Sequence, residues 1–279
     1  MINREYKDRL FTFIFGSEEH KEWTLSLYNA VNGSDYDDLS AIEINTIKDV
    51  LYMGIKNDVS FIVGTQTINL YEQQSTYNPN MPLRELIYAG HLYDKYVKSN
   101  DLNIYSESIV RVPLPKLVVF YNGLKENEDE TTIELKDAFP KGTDADESDI
   151  QVRVRMLNIN YGRNAEMLEA CRPLLEYSKL VYDIRDGLSK GKTIEQAVND
   201  VLDNMLDDSV LKEYLIANRA EVESMVITEY DEEKTMSLFK KEYLEQGEAI
   251  GEERAKKQLL EKLVKAGDIT PERAAELRK

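Results

Sequence analysis

The chain has 279 residues, with 35 Lys and Arg against 52 Asp and Glu, a formal charge of −17. Hydrophobic residues make up 42 % and charged residues 31 %, which excludes a wholly disordered or membrane-embedded chain and leaves room for one large core with an appendage. The single Cys171 excludes an internal disulfide; with a polar, acidic start and no long apolar run, it points to a reducing, cytoplasmic setting without a membrane partner.

Asp8 to Phe15 is apolar and aromatic, and Glu18 to Val31 places Trp23, Leu27 and Val31 on one helical face. Asn32 to Asp35 supplies turn residues that end this helix. Asp58 to Val63 and Thr67 to Gln74 read as two strands joined by a tight turn at Gly64. Pro82 to Val97 reads as a helix with proline in its first turn. Lys116 to Tyr121 is a short continuous apolar run, the pattern of a strand buried on both faces.

Glu126 to Glu130 and Lys141 to Asp149 are acidic loops, with a semi-apolar stretch, Thr132 to Phe139, between them. Ile150 to Met156 alternates, with Ile150, Val152, Val154 and Met156 on one side, as a half-buried strand does. From Asn164 the pattern is helical: Met167 to Leu188, Thr193 to Leu206, Val210 to Asn218 and Glu221 to Gly247. Thr193 and Gln196 form a capping box. A further helix runs from Gly251 to Lys265, and a last short one starts at Thr270-Pro271. The expected organisation is a sheet-based core over 1–165, a helical part over 166–230 packed on it, and a helical tail over 231–279. The thin Leu259/Leu263 stripe of that tail makes it a candidate oligomerisation segment.

The stretch from Lys56 to Tyr88 carries the chemistry. Residues two apart share a strand face, so Glu72 and Gln74 point the same way, as do Asp58 and Ser60. Pairing the two strands about Gly64 lets Asp58 and Glu72 converge at the far end of the hairpin. Two acids held together raise one another's proton affinity unless a cation intervenes, and all-oxygen ligation suits Mg²⁺ or Mn²⁺. Solvated acids at strand ends have the same spacing. Arg84, Tyr88 and His91 form one stripe of the following helix, with Leu83, Leu86, Ile87 and Gly90 turned toward a core. The chain lacks GxSxG, GxGxxG, P-loop and HExxH patterns. Cys171 lies in an apolar helical stretch, where a thiol is usually core.

The pattern D58-x13-E72-x-Q74-S75, followed by N80-M81-P82-L83-R84 and Y88, resembles the PD-(D/E)XK nuclease superfamily. More narrowly, it is similar to the recombination-promoting nuclease/transposase family of bacteria. Six further segments carry the resemblance in order: DRLFTFIFG from Asp8, YMGIKNDVSF from Tyr52, LYEQQSTYNPNMPLR from Leu70, VVFYNG from Val118, LNINYGRN from Leu157 and NRAEVESMVITEYDEE from Asn218. Together they cover about residues 5 to 250.

The resemblance implies an α/β fold: a mixed central sheet flanked by helices, a restriction-endonuclease-like core, with a helical C-terminal extension. It implies a Mg²⁺-dependent (or Mn²⁺-dependent) hydrolase that cuts DNA. Asp58 and Glu72 would hold the metal, with the Gln73 carbonyl as a further oxygen. Gln74 stands where the superfamily usually has the water-orienting Lys. Arg84 and Tyr88 would bind phosphate, and Asp8, Glu19 or Glu22 would be a first-helix acid. The alternative is a catalytically silent nuclease fold acting as a protein-binding or oligomerising module. The acidity argues against a broad basic DNA-binding face, but it is uneven. Residues 1–125 carry 12 basic and 16 acidic side chains; residues 126–279 carry 23 and 36.

Overall fold

In the computed structural model of the chain, the described residues are 10–44, 59–125, 127–227, 258–260, 262 and 270. Asp8, Asp58 and Glu126 lie outside them, as do the expected helices beyond residue 227, except for 258–260 and 262. The chain divides into two compact units, Met1–Ile227 and Thr228–Lys279. In the second, residues 258–260 are helical, with Leu259 exposed and Leu260 buried.

The first unit is an α/β structure built on a six-stranded mixed sheet in the order β1-β2-β3-β4-β6-β5. Its strands are β1 (Ile42–Ile44), β2 (Val59–Val63), β3 (Thr67–Gln74), β4 (Leu114–Tyr121), β5 (Glu130–Glu134) and β6 (Arg153–Asn158). β2 and β3 form the expected hairpin about Gly64, whose φ of 58° is the left-handed conformation a glycine adopts freely. Their register pairs Val59 with Tyr71 and Val63 with Thr67. β3, β4 and β6 run parallel, so their carboxyl ends share one edge of the sheet; β5 closes the far side antiparallel to β6.

Helices cover both faces. On one lie α1 (Leu10–Phe15), α2 (Lys21–Asn32), α4 (Ala165–Ala170), α5 (Arg172–Ser189), α6 (Ile194–Asp203), α7 (Lys212–Ala217) and a helical stretch over 219–227. They share one apolar cluster with Val59, Phe61, Tyr71, Phe120 and Leu157 of the sheet. Aromatic rings tie the layers together: Phe11 lies 5.1 Å from Phe120 and 5.7 Å from Tyr177, and Tyr71 meets Phe61 and Phe120 edge to face. Each such ring or leucine, fully buried, stabilises the fold by about 1.5–3 kcal/mol. Trp23, Leu27 and Val31 of α2 are all buried, as their spacing predicts. Gly33 ends α2 with φ 61°, its N–H returning to the Asn29 carbonyl.

On the opposite face lies α3 (Met81–Ser99), the crossover between β3 and β4. It packs on Ile62, Ile68 and Leu70 through Tyr88, Ala89 and Leu92, and on Val119, Tyr121 and Met156 through Met81. The apolar stripe expected of this helix is displaced. Leu83 and Ile87 are exposed, while Glu85 and Tyr88 are buried against the sheet and His91 faces solvent. Glu85 shares the inner face with Met81, Tyr88 and Leu92, and Arg84 beside it reaches Glu72 of β3.

Three further differences have local causes. The single helix expected over Met167–Leu188 is two, broken at Cys171 (φ −124°, ψ 89°). Pro173 has no N–H to donate to the Glu169 carbonyl, and its ring would crowd that carbonyl in a continuous helix, so α4 ends before it and Pro173 sits in the first turn of α5. β6 starts at Arg153 and not at Ile150, which is 55 % exposed. β1 and β5, not expected from the sequence, are short edge strands. β5 draws support from Arg155 on Glu130, Arg153 on Glu134 and Lys136 on Glu134.

Candidate active site

β3 is buried along nearly its whole length, and its residues divide by parity between the sheet faces. Ile68 and Leu70 lie under α3; Glu72 and Gln74 continue that row to the carboxyl end. Tyr71 faces the other layer, and Gln73 follows it. The sequence therefore switches from apolar to polar within the strand, and Glu72 becomes a carboxylate only 2 % exposed.

A buried carboxylate needs counter-charge and hydrogen bonds. Arg84, in the first turns of α3, donates from Nη2 to Glu72 Oε1 at 2.5 Å. Gln74 Nε2 donates to the same oxygen at 3.1 Å. Arg84 is itself positioned by Tyr88, whose hydroxyl accepts from Nη2 at 2.8 Å and from Nε at 3.1 Å. Its Nη1 reaches Met81 Sδ at 3.4 Å. Burial, and next the negative charge of Glu72, push the Tyr88 hydroxyl above its ordinary pKa; Arg84 opposes this. Tyr88 is thus a neutral acceptor that fixes the guanidinium.

Gln73 does something different from its neighbours. Its side chain, on the opposite face, donates to Asn122 Oδ1 at 2.6 Å, and Asn122 donates to the Tyr177 hydroxyl at 3.3 Å. The Asn122 N–H holds the Gln74 carbonyl at 3.1 Å. Main-chain groups alternate sides along a strand, so the Gln73 carbonyl faces the β2 side. Asp58 directly precedes β2 in the chain and lies outside the described residues.

The structure thus brings Glu72, Gln74, Arg84 and Tyr88 together. Glu19 and Glu22 are not joined to them. Glu22 holds His20 Nδ1 at 2.8 Å, and its helix packs on the other face of the sheet. Glu19 sits in the exposed turn before it. His91 is outside the group. The sequence reading overlooked Glu85, a 1 % exposed acid on the sheet face of α3, and Asn122, which fastens the end of β3. The N-G pair after β4 was the signal for Asn122, but it reads as a plain turn.

The donors at this end of β3 are carboxylate, amide and carbonyl oxygens, the chemistry of a hard divalent cation. Among the described residues no three His, Cys, Asp or Glu side chains form a metal-binding group; Asp58 lies outside those residues. No protein-family model, curated protein or solved structure matches the chain.

Proposed function

We propose that the chain is a Mg²⁺- or Mn²⁺-dependent DNA endonuclease of PD-(D/E)XK type, akin to the recombination-promoting nuclease/transposase family, with a restriction-endonuclease-like core. The observation that carries this reading is Glu72: a buried carboxylate at the carboxyl end of a central strand, bonded to Gln74 and Arg84. Its strand is paired with the one that Asp58 immediately precedes.

In this reading Asp58, Glu72 and the Gln73 carbonyl would hold the ion, which would supply positive charge and lower the pKa of water. Gln74 orients the attacking water through a dipole, without the charge a Lys would bring. Water adds to phosphorus, the P–O ester bond breaks, and the leaving oxygen takes up a proton. Arg84 neutralises the developing phosphate charge, its guanidinium passing from Glu72 to the phosphate while Tyr88 keeps hold of it. Asp58→Ala or Glu72→Ala should abolish Mg²⁺-dependent nicking of plasmid DNA. Nicking that survives either change, or excess EDTA, would exclude the assignment.

A second reading is favoured by the ion pair itself. Arg84 already supplies a cation to Glu72, which suits a silent nuclease fold that binds protein partners. A chain that shows no heat of Mg²⁺ binding and cuts no DNA, yet self-associates through 231–279, would favour this reading.

A further inference from the structure

A second feature lies at the same sheet edge. The carboxyl ends of β4 and β6 and the side of α5 enclose a cleft of about 270 Å³. Clefts outside the carboxyl ends of parallel strands are the usual ligand sites of α/β sheets. Tyr161, after β6, and Tyr182, on α5, stand at this cleft with ring centroids 5.6 Å apart. They are 45 % and 53 % exposed. The Lys179 ammonium lies 5.6 Å from the Tyr161 ring centre.

The lining is largely apolar, with Leu124, Ile159 and Val181, and its polar groups are fixed. Arg185 donates to the Asn122 carbonyl, and Asn160 Nδ2 donates to the Gly123 carbonyl at 3.0 Å and to Asn158 Oδ1 at 2.9 Å. The cleft's acid, Asp186, is held by Lys190 at 2.5 Å, and Lys179 is paired with Asp183 at 2.7 Å. Two half-exposed aromatic rings over a largely apolar lining match a flat heteroaromatic ring.

Asn122 is shared with the candidate active site, because its N–H holds the Gln74 carbonyl and its amide accepts from Gln73. In the parallel register Gln74 pairs with Tyr121. With a rise of about 3.3 Å per residue and a strand spacing of about 4.8 Å, the Asn122 backbone lies roughly 11 Å from that of Glu72; Glu72 faces α3 and the cleft faces α5, so a strand that reaches both passes over the carboxyl edge of the sheet.

We propose that this cleft takes an unstacked nucleobase, seated on Tyr161 and Tyr182, from a strand whose phosphodiester lies at Glu72. The inference rests on the nuclease reading for the placement of the strand, but the base site itself needs no metal. Stacking on aromatic rings tolerates any base, so the cleft grips single-stranded or opened nucleic acid without reading its sequence.

The test uses the full chain in EDTA and a short single-stranded DNA containing 2-aminopurine. The wild type should quench the fluorophore on binding. Tyr182→Ala and Tyr161→Ala should each weaken binding by about tenfold and lose the quenching, while Tyr182→Phe, which keeps the ring, should stay within about twofold. Both tyrosines are half exposed, so circular dichroism should show the alanine variants folded. Plasmid nicking with Mg²⁺ is measured on the same preparations. If the wild type nicks DNA but Tyr182→Ala binds and quenches like it, the base site is overturned and the nuclease reading stands. If quenching depends on Tyr182 and nothing is nicked, the base site stands and the nuclease reading falls. Absence of binding by the wild type overturns the base site outright.

Discussion

Glu72 is the residue on which most of the local chemistry turns, and Arg84 is the cation bonded to it. Removing one partner of a buried ion pair typically costs about 3–5 kcal/mol. The Arg84 side chain is 34 % exposed, so water shares its task and Arg84→Ala should cost about 2–3 kcal/mol in urea unfolding. Adding Glu72→Gln should recover part of that loss, because it removes the buried charge; a purely additive double variant would contradict the coupling. Cys171 offers a second check. Burial pushes its thiol up to about 11 from 9.0. A raised folded-state value favours the neutral thiol, so its contribution to stability is complete below pH 9.0 and declines as pH rises through about 11. Iodoacetamide at pH 8 should leave Cys171 unmodified in the folded chain and label it in urea; equal labelling in both would contradict the buried, protonated thiol.

Among the elements, the loop after β4 does the fastening. A Cβ at Gly123 would lie 2.1 Å from the Ser75 carbonyl oxygen and 2.5 Å from the Tyr121 hydroxyl. Gly123→Ala should therefore force the ends of β3 and β4 apart and lower the melting temperature, at a cost of about 1–3 kcal/mol. An unchanged melting temperature would mean that the two loops are not pressed together. The elements also show where pattern suffices. The hairpin about Gly64, the Thr193–Gln196 capping box and the bounds of β3 follow from local chemistry, and all three are present. The face of α3 does not. Its exposed Leu83 and Ile87 carry the stronger apolar signal, whereas Tyr88 is buried because Ile62, Ile68 and Leu70 lie against it and the Arg84 guanidinium meets its hydroxyl. β1 escaped because three residues are too few to show a period, and β5 because four of its five residues are polar. Of the candidate site, Glu72, Gln74, Arg84 and Tyr88 were legible from strand parity and helix spacing. The Gln73–Asn122–Tyr177 chain was not, since it joins residues up to 104 positions apart in the sequence.

For the whole molecule, the uneven charge sets the terms of any encounter with DNA. Residues 1–125, which contain β3 and Arg84, hold 12 basic and 16 acidic side chains, and no helix of the described residues is long and apolar enough to cross a membrane. Binding should be weak and local, with a shallow salt dependence from few phosphate contacts. The two compact units, Met1–Ile227 and Thr228–Lys279, separate the sheet from the proposed association segment. A chain ending at Ile227 should fold cooperatively and, by light scattering, be monomeric where the full chain is oligomeric; an unchanged mass would refute association through the tail. The central claim concerns Glu72 and Asp58 as partners in phosphodiester hydrolysis. It is tested most directly by nicking of supercoiled plasmid across a Mg²⁺ series, wild type beside Asp58→Ala. The prediction is Mg²⁺-dependent nicking by the wild type and none by the variant; equal nicking by both, or none by either, would contradict it.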